Sequence, residues 1–182
     1  MPLRLILGPM KSGKSFDLIA HFAPLQHSNI PHILYQSTTN EREDLIVSRS
    51  GLSLAAKKVA SIPRSVMKYD IIGLDEIHMF PLETVGIISE LLDANKEVII
   101  CGLDMDYRGK MFPIVRSLLE LAPNQVQYKR AVCEVCKKID GAYTQVYKDG
   151  KPVLSGIPAV LVENERYTYA PVCRRCFAQA EV

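Results

Sequence analysis

The sequence predicts an α/β fold: a mainly parallel sheet covered by helices, with a small C-terminal metal-binding lobe. Three observations carry this expectation. Short apolar runs of strand length, most containing isoleucine, alternate with segments whose apolar residues recur at helical spacing. A glycine-rich loop, "GPMKSGKS" from Gly8 to Ser15, stands between the first such run and the first helical segment. Beyond residue 130 the texture changes, and two Cys-x-x-Cys pairs bracket short strand-like runs, glycines and prolines. Strands that are apolar along their whole length are buried on both faces, as in a parallel sheet between helices.

Taken in order, Leu3 to Leu7 is the first strand, stopped by Gly8. Phe16 to His27 follows with apolar residues at Phe16, Ile19, Ala20 and Ala23 up to Pro24, a helical pattern. His32 to Gln36, after Pro31, reads as the second strand, and Tyr69 to Leu74 as the third, ending in Asp75 and Glu76. Val85, Ile88, Leu91 and Leu92 mark a helix over Leu82 to Leu92, and Glu97 to Cys101 is a further strand. Ile114 to Leu121 is a helix stopped by Pro123, and Gln125 to Lys129 is the last core strand. A boundary near Arg130 divides a nucleotide-binding core, residues 1–130, from a lobe, residues 131–182.

A chain of 182 residues suffices for one sizeable core and an appendage. Its 22 basic and 20 acidic residues leave a net charge of +2, too small for the electrostatic footprint of a nucleic-acid binder, and no basic stripe interleaved with aromatics is present. No apolar run approaches the length of a membrane span, and the N-terminus lacks the regions of a signal peptide. The expected location is therefore cytoplasmic, with no membrane partner.

Gly8-x-x-x-x-Gly13-Lys14-Ser15 matches the Walker A pattern in the context that its chemistry requires, after a strand and at a helix start. Its glycines let consecutive N–H groups face phosphate oxygens, and the helix N-terminus adds its positive dipole end. Gly8, Pro9, Met10, Lys11, Ser12, Gly13, Lys14 and Ser15 form the expected phosphate-binding set. Within it, Lys14 reaches the β- and γ-phosphates and Ser15 ligates Mg²⁺. Lys11 is read as a solvated loop lysine with no role beyond its place.

An apolar strand ending in an acid is the Walker B arrangement, which assigns Asp75 to Mg²⁺. Glu76 then turns to the neighbouring side of the cleft, where it can take a proton from a substrate hydroxyl or from water. Helix capping is the competing reading of this acidic pair, and the phosphate loop weighs against it. His78 is read as lining the phosphate cleft or as a satisfied polar residue, and not as a metal ligand, since no other histidine or cysteine is near it in sequence.

Cys133, Cys136, Cys173 and Cys176 provide four soft ligands in two knuckles, the pattern of a closed, structural Zn²⁺ site. The 36 intervening residues exceed the about 15 to 20 of a compact zinc ribbon, so the metal clamps the base of a long excursion. Cys101, left over, is read as a buried small hydrophobe.

The phosphate loop, the Asp75-Glu76 pair, "GLDMDYRGKMFP" at Gly102 to Pro113 and the two cysteine pairs, in this order and spacing, resemble the type II, zinc-containing thymidine kinases. The resemblance runs from Leu3 to Cys176. It implies a RecA-like P-loop core with a zinc lobe, and transfer of the ATP γ-phosphoryl group to the 5′-hydroxyl of thymidine, with deoxyuridine as an alternative acceptor. It further implies a role in deoxynucleotide salvage for DNA synthesis, a homotetramer, and feedback inhibition by thymidine triphosphate. By resemblance Glu76 is the proton acceptor, Arg42 lies near the phosphates, and the loop between the cysteine pairs is a lasso that closes over the nucleoside. The implied pocket contains Met10, Met79, Leu103, Tyr107, Phe112 and Thr144, with Tyr167 and Tyr169 competing for one aromatic place and Tyr169 favoured by its distance from Cys173.

The chain departs from the family pattern at several positions. Val162-Glu163 stands where a Gly-Gly pair is usual, Asn40 where an acid is usual, Val146 where an arginine is frequent and Met79 where an aromatic is usual. A backbone that must approach a base closely is easiest to build from glycine, so a kinase of another nucleoside is one alternative. A P-loop ATPase in which Glu76 polarises water is a second, and a non-enzymatic nucleic-acid-binding module a third.

Overall fold

The computed structural model describes residues 2–40, 45–47, 51, 53–160 and 166–178. Its centre is a sheet of six strands: β1 (Leu3–Leu7), β2 (His32–Ser37), β5 (Lys57–Val59), β6 (Ile71–Asp75), β7 (Glu97–Gly102) and β8 (Gln125–Tyr128). Their order is β5-β2-β6-β7-β1-β8, and every neighbouring pair is parallel. One strand, β7, thus separates the strand that feeds the glycine loop from the strand that ends in Asp75.

Side-chain alternation divides the core between the two faces of the sheet. Leu3, Leu5 and Leu7 of β1, Ile72 and Leu74 of β6, and Val98 and Ile100 of β7 pack with helices α2 (Thr84–Asp93) and α3 (Pro113–Glu120) through Ile88, Leu91, Ile114, Val115 and Leu118. The alternate residues, Ile6, Ile71, Ile99 and Cys101, pack with α1 (Lys14–Phe22) through Leu18, Ile19 and Phe22. Burial on both faces is what the unbroken apolar runs predict. Helix α1 ends at Phe22, and Ala23–His27 continues as a 3₁₀ turn, because Pro24 lacks the N–H that would extend the α ladder.

Four short elements between β2 and β6 have no counterpart in the sequence-based expectation. Strands β3 (Leu45–Val47) and β4 (Ser53–Ala55) form an antiparallel pair against the α1 face, β5 adds an edge to the main sheet, and Arg64–Lys68 is a 3₁₀ turn. Three-residue strands carry too few alternations to register as a pattern. After β8 the chain forms a small antiparallel sheet of β9 (Tyr143–Lys148), β10 (Lys151–Pro152) and β11 (Tyr167–Val172) in the order β10-β9-β11. Among the described residues no helix is long and apolar enough to cross a membrane.

The close approach of α1 to the sheet depends on Gly73 in β6. A Cβ there would lie 2.2 Å from Leu34 Cδ2 and 2.8 Å from the Phe22 ring. Gly73→Ala is expected to destabilise the fold by about 1–3 kcal/mol through overpacking. The measurement is a lowered urea midpoint with an unchanged denaturant slope.

Candidate functional site

The glycine loop is built by close backbone approach and left-handed conformations. At Gly8 (φ 147°) a Cβ would lie 2.5 Å from the Lys129 carbonyl oxygen, so the loop starts pressed against the chain leaving β8. Lys129 N–H donates to Leu7 O at 2.7 Å, fixing that approach. Gly13, with φ 81°, supplies the left-handed residue that starts α1. Its cap residue, Gly13, has no side chain to offer the helix N-terminus, so the first amides suit an anion. Lys14 is buried with its ammonium donating to Pro9 O at 2.7 Å, and Ser12 Oγ donates to the same carbonyl at 2.8 Å. The loop is therefore curled around its own lysine, a cradle suited to phosphate oxygens.

Asp75 closes the other side of this cradle. It ends β6 almost fully buried, and its Oδ1 lies 3.4 Å from Ser15 Oγ and 3.0 Å from the Glu76 N–H. Burial first, and the charge of Glu76 second, push the Asp75 carboxyl up to about 6, against the pull of the Cys101 and Gln36 hydrogen bonds and of Lys14. A hydroxyl and a carboxylate oxygen at this separation are hard donors that fit Mg²⁺, and a cation between them would remove the cost of the buried charge.

Glu76 adopts φ 53°, left-handed for a residue with a side chain, and starts the 3₁₀ turn Ile77–Met79. The turn packs on Gly102, where a Cβ would lie 2.8 Å from both Ile77 Cγ2 and Ile77 N. Glu76 Oε2 is buried and accepts no hydrogen bond among the described residues. His78 Nδ1 lies 3.5 Å from it, but that nitrogen accepts the Leu103 N–H at 3.3 Å and so carries no proton to share. Burial pushes the His78 imidazole down to about 4, with Glu76 opposing and Lys14 assisting. Two acceptors thus face each other, and among the described residues this carboxylate oxygen has no donor.

The other expected residues divide as follows. His78 lies between Glu76 and the Phe112 ring, whose centroid is 5.1 Å away. Met10, Leu103 and Phe112 share one apolar cluster with Val160, and Tyr107 is buried with its hydroxyl donating to Ile157 O at 3.0 Å. Met79 is half-buried, its carbonyl accepting the Ser37 hydroxyl at 3.0 Å. Thr144 reaches from β9 to the loop, its Oγ1 accepting the Met10 N–H at 3.0 Å. Tyr167 and Tyr169 are both half-buried, two residues apart on β11. Lys11, expected to be a solvated side chain, instead pairs with Glu134 of the first cysteine knuckle. Arg42 and Val162-Glu163 lie outside the described residues.

Sequence reasoning passed over two features of the site. Asp106 is buried and accepts N–H groups from Arg108 at 2.9 Å and Lys110 at 3.1 Å, together with the Arg108 guanidinium. It fixes the loop that carries Tyr107 and Phe112. The Asp-x-x-Gly spacing of Asp106 and Gly109, whose φ is 74°, is the turn signal that could have revealed it. Cys101 is buried as expected, yet its thiol donates to Asp75 Oδ1 at 2.8 Å.

The four paired cysteines place their Sγ atoms within 4.8 Å of one another, with Cys136 and Cys173 at 3.8 Å. Tetrahedral Zn²⁺ with Zn–S bonds of about 2.3 Å needs sulfurs about 3.8 Å apart, so the cluster fits that ion. Burial opposes ionisation of Cys133, but the amides of Cys136, Cys173 and Val135 bring its thiol down to about 6. Val172, Phe177 and Tyr143 pack beside the cluster, with the two rings stacked at 4.3 Å.

Two outcomes follow from this geometry. The depressed His78 implies that its contribution to stability is present above pH 6.5 and lost as pH falls toward 4, since the unfolded chain then binds a proton that the folded one refuses. His78→Asn, which keeps an acceptor for Leu103, is expected to remove up to roughly 3 kcal/mol of acid sensitivity over that window, measured by urea unfolding at pH 7 and pH 4. Cys173→Ala is expected to abolish a one-to-one zinc content in elemental analysis and to lower the thermal midpoint.

Comparison with known proteins places this geometry in context. The family model described as thymidine kinase matches residues 1–177. A thymidine kinase of Thermococcus kodakarensis is 33% identical over 183 residues, covering 94% of this chain and 91% of that protein. A thymidine kinase of Coprothermobacter proteolyticus is 36% identical over 166 residues, covering 88% of this chain and 82% of that protein.

Proposed function

The chain belongs to the thymidine kinase family, and on that premise we propose that it transfers the γ-phosphoryl group of ATP to the 5′-hydroxyl of thymidine. The observation that carries the residue-level reading is the buried, unpartnered Glu76 Oε2 beside a histidine nitrogen that has no proton to give it. In this reading Lys14 and the loop amides from Gly8 to Ser15 hold the β- and γ-phosphates, and Ser15 and Asp75 hold Mg²⁺. The cation supplies charge neutralisation at the phosphates when bound.

Glu76 Oε2 accepts the proton of the 5′-hydroxyl as that oxygen bonds to the γ-phosphorus. The bond from the γ-phosphorus to the β–γ bridging oxygen breaks, ADP leaves, and the carboxyl proton passes to solvent. A loose transition state asks little of the base, so alignment of the two substrates across the loop contributes most. Met10 supports that alignment by touching both halves, its N–H on Thr144 and its side chain in the apolar cluster with Leu103 and Phe112. Met79, Tyr107 and one of Tyr167 and Tyr169 complete the proposed nucleoside wall, and Arg42 joins the phosphate side.

Around this centre we place a core of residues 1–130 and a zinc lobe of residues 131–182. The zinc is structural, because four thiolates leave it no open position. A homotetramer, inhibition by thymidine triphosphate, a cytoplasmic location and a place in deoxynucleotide salvage complete the proposal.

The test is phosphoryl transfer from radiolabelled ATP to a panel of deoxynucleosides, with product expected from thymidine. Glu76→Gln is expected to lower turnover by about 10²-fold or more while binding of a non-hydrolysable ATP analogue is unchanged. Wild-type turnover in that variant would remove Glu76 from the role of base. ATP hydrolysis indifferent to every nucleoside would replace the kinase by an ATPase.

A further inference from the structure

Register across the parallel sheet puts three chemically matched side chains in one row. Gln36 of β2 lies opposite Asp75 of β6. On the other side β6 pairs with β7 through Leu74 and Ile100, so Cys101 is the next residue level with Asp75. In turn, Cys101 lies opposite Ile6 of β1, the strand that feeds the phosphate loop. Gln36, Asp75 and Cys101 are each buried.

Both outer members of this row donate to the carboxylate between them. The Cys101 thiol reaches Asp75 Oδ1 at 2.8 Å, and Gln36 Nε2 reaches Oδ2 at 3.3 Å. Each oxygen is thus held by a different neighbouring strand, which fixes the plane of the carboxylate. The fixed orientation keeps Oδ1 on the side of Ser15 Oγ, 3.4 Å away. Cys101 is the donor in this contact, because an ionised carboxylate has only acceptors to offer. Both contacts also replace hydrogen bonds to water that the buried carboxylate has lost.

We infer that Cys101 is a positioning residue for the metal-holding carboxylate, acting with Gln36 as a two-sided clamp from the strands that flank β6. The inference rests on the reading of Asp75 and Ser15 as the Mg²⁺ pair. Partners of ligating groups at such sites typically contribute about 10-fold to 100-fold in metal affinity or activity. Neither residue touches the reacting atoms, so the effect appears in cation binding and not in thymidine binding.

Mn²⁺, a divalent probe visible by electron paramagnetic resonance, tests this when titrated with a non-hydrolysable ATP analogue into the wild type, Cys101→Ala, Cys101→Ser, Gln36→Leu and Asp75→Asn. Cys101→Ala and Gln36→Leu are expected to weaken Mn²⁺ binding about tenfold. Cys101→Ser, which restores a donor in a similar volume, is expected to stay within about threefold of the wild type. The half-saturating thymidine concentration should be unchanged in both cysteine variants. Wild-type Mn²⁺ affinity in Cys101→Ala would overturn the inference, and so would an equal loss in Cys101→Ser, which would mark a packing role. Wild-type affinity in Asp75→Asn would instead overturn the metal reading on which the inference stands.

Discussion

The structure turns on a carboxylate held out of water. Asp75 has 3% of its surface exposed, and an ionised acid in that position is costly unless donors surround it. Every element near it supplies one: α1 through Ser15, β2 through Gln36, β7 through Cys101 and its own following amide at Glu76. The position of β7 between β1 and β6 sets the distance across which Ser15 and Asp75 meet. A direct β1–β6 neighbourhood would bring loop and acid closer by one strand spacing, about 4.8 Å. Sheet order thus decides what the loop can hold.

The same constraint separates what could be read from sequence from what could not. Leu3–Leu7, Ile71–Asp75 and Glu97–Gly102 were legible because each strand is almost wholly apolar and stops at a glycine or an acid. The loop was legible because its glycines and Lys14 are fixed by backbone geometry that few other residues satisfy. Strands β3, β4 and β5 were not, since runs of only three residues gain their strand character from neighbours. Cys101 was half legible. Its burial follows from its place at the end of an apolar run, whereas its hydrogen bond follows from register with Asp75, which one strand's sequence does not contain.

The cysteine lobe belongs to the same argument. Thr144 and Glu134 reach from it to successive residues of the phosphate loop, Met10 and Lys11. The two contacts differ in weight. The Lys11–Glu134 pair is partly exposed, with side-chain accessibilities of 27% and 39%, and such pairs contribute little to stability. The Thr144–Met10 bond is buried at the threonine and satisfies a loop amide. A metal that fixes the knuckles therefore also fixes one edge of the loop, through a strand that begins seven residues after Cys136.

The placement of His78 beside Glu76 shows how the proposed base would be kept available. A protonated histidine 3.5 Å from the carboxylate would hold it as an ion pair. Burial of His78 and the nearby Lys14 prevent this by keeping the imidazole neutral, and the Leu103 amide occupies the one nitrogen that faces Glu76. The Leu103 amide is itself placed by Gly102, which has no Cβ and so lets the turn carrying His78 close on β7. The left-handed conformation of Glu76 completes the arrangement, at a backbone cost on the order of 1–3 kcal/mol. A conformation of that cost persists only where the surrounding contacts hold it, and here β7, the 3₁₀ turn and Asp75 Oδ1 all bear on the same residue. The strain and the oxygen without a partner among the described residues coincide at Glu76, which is what the proposed role of proton acceptor would require.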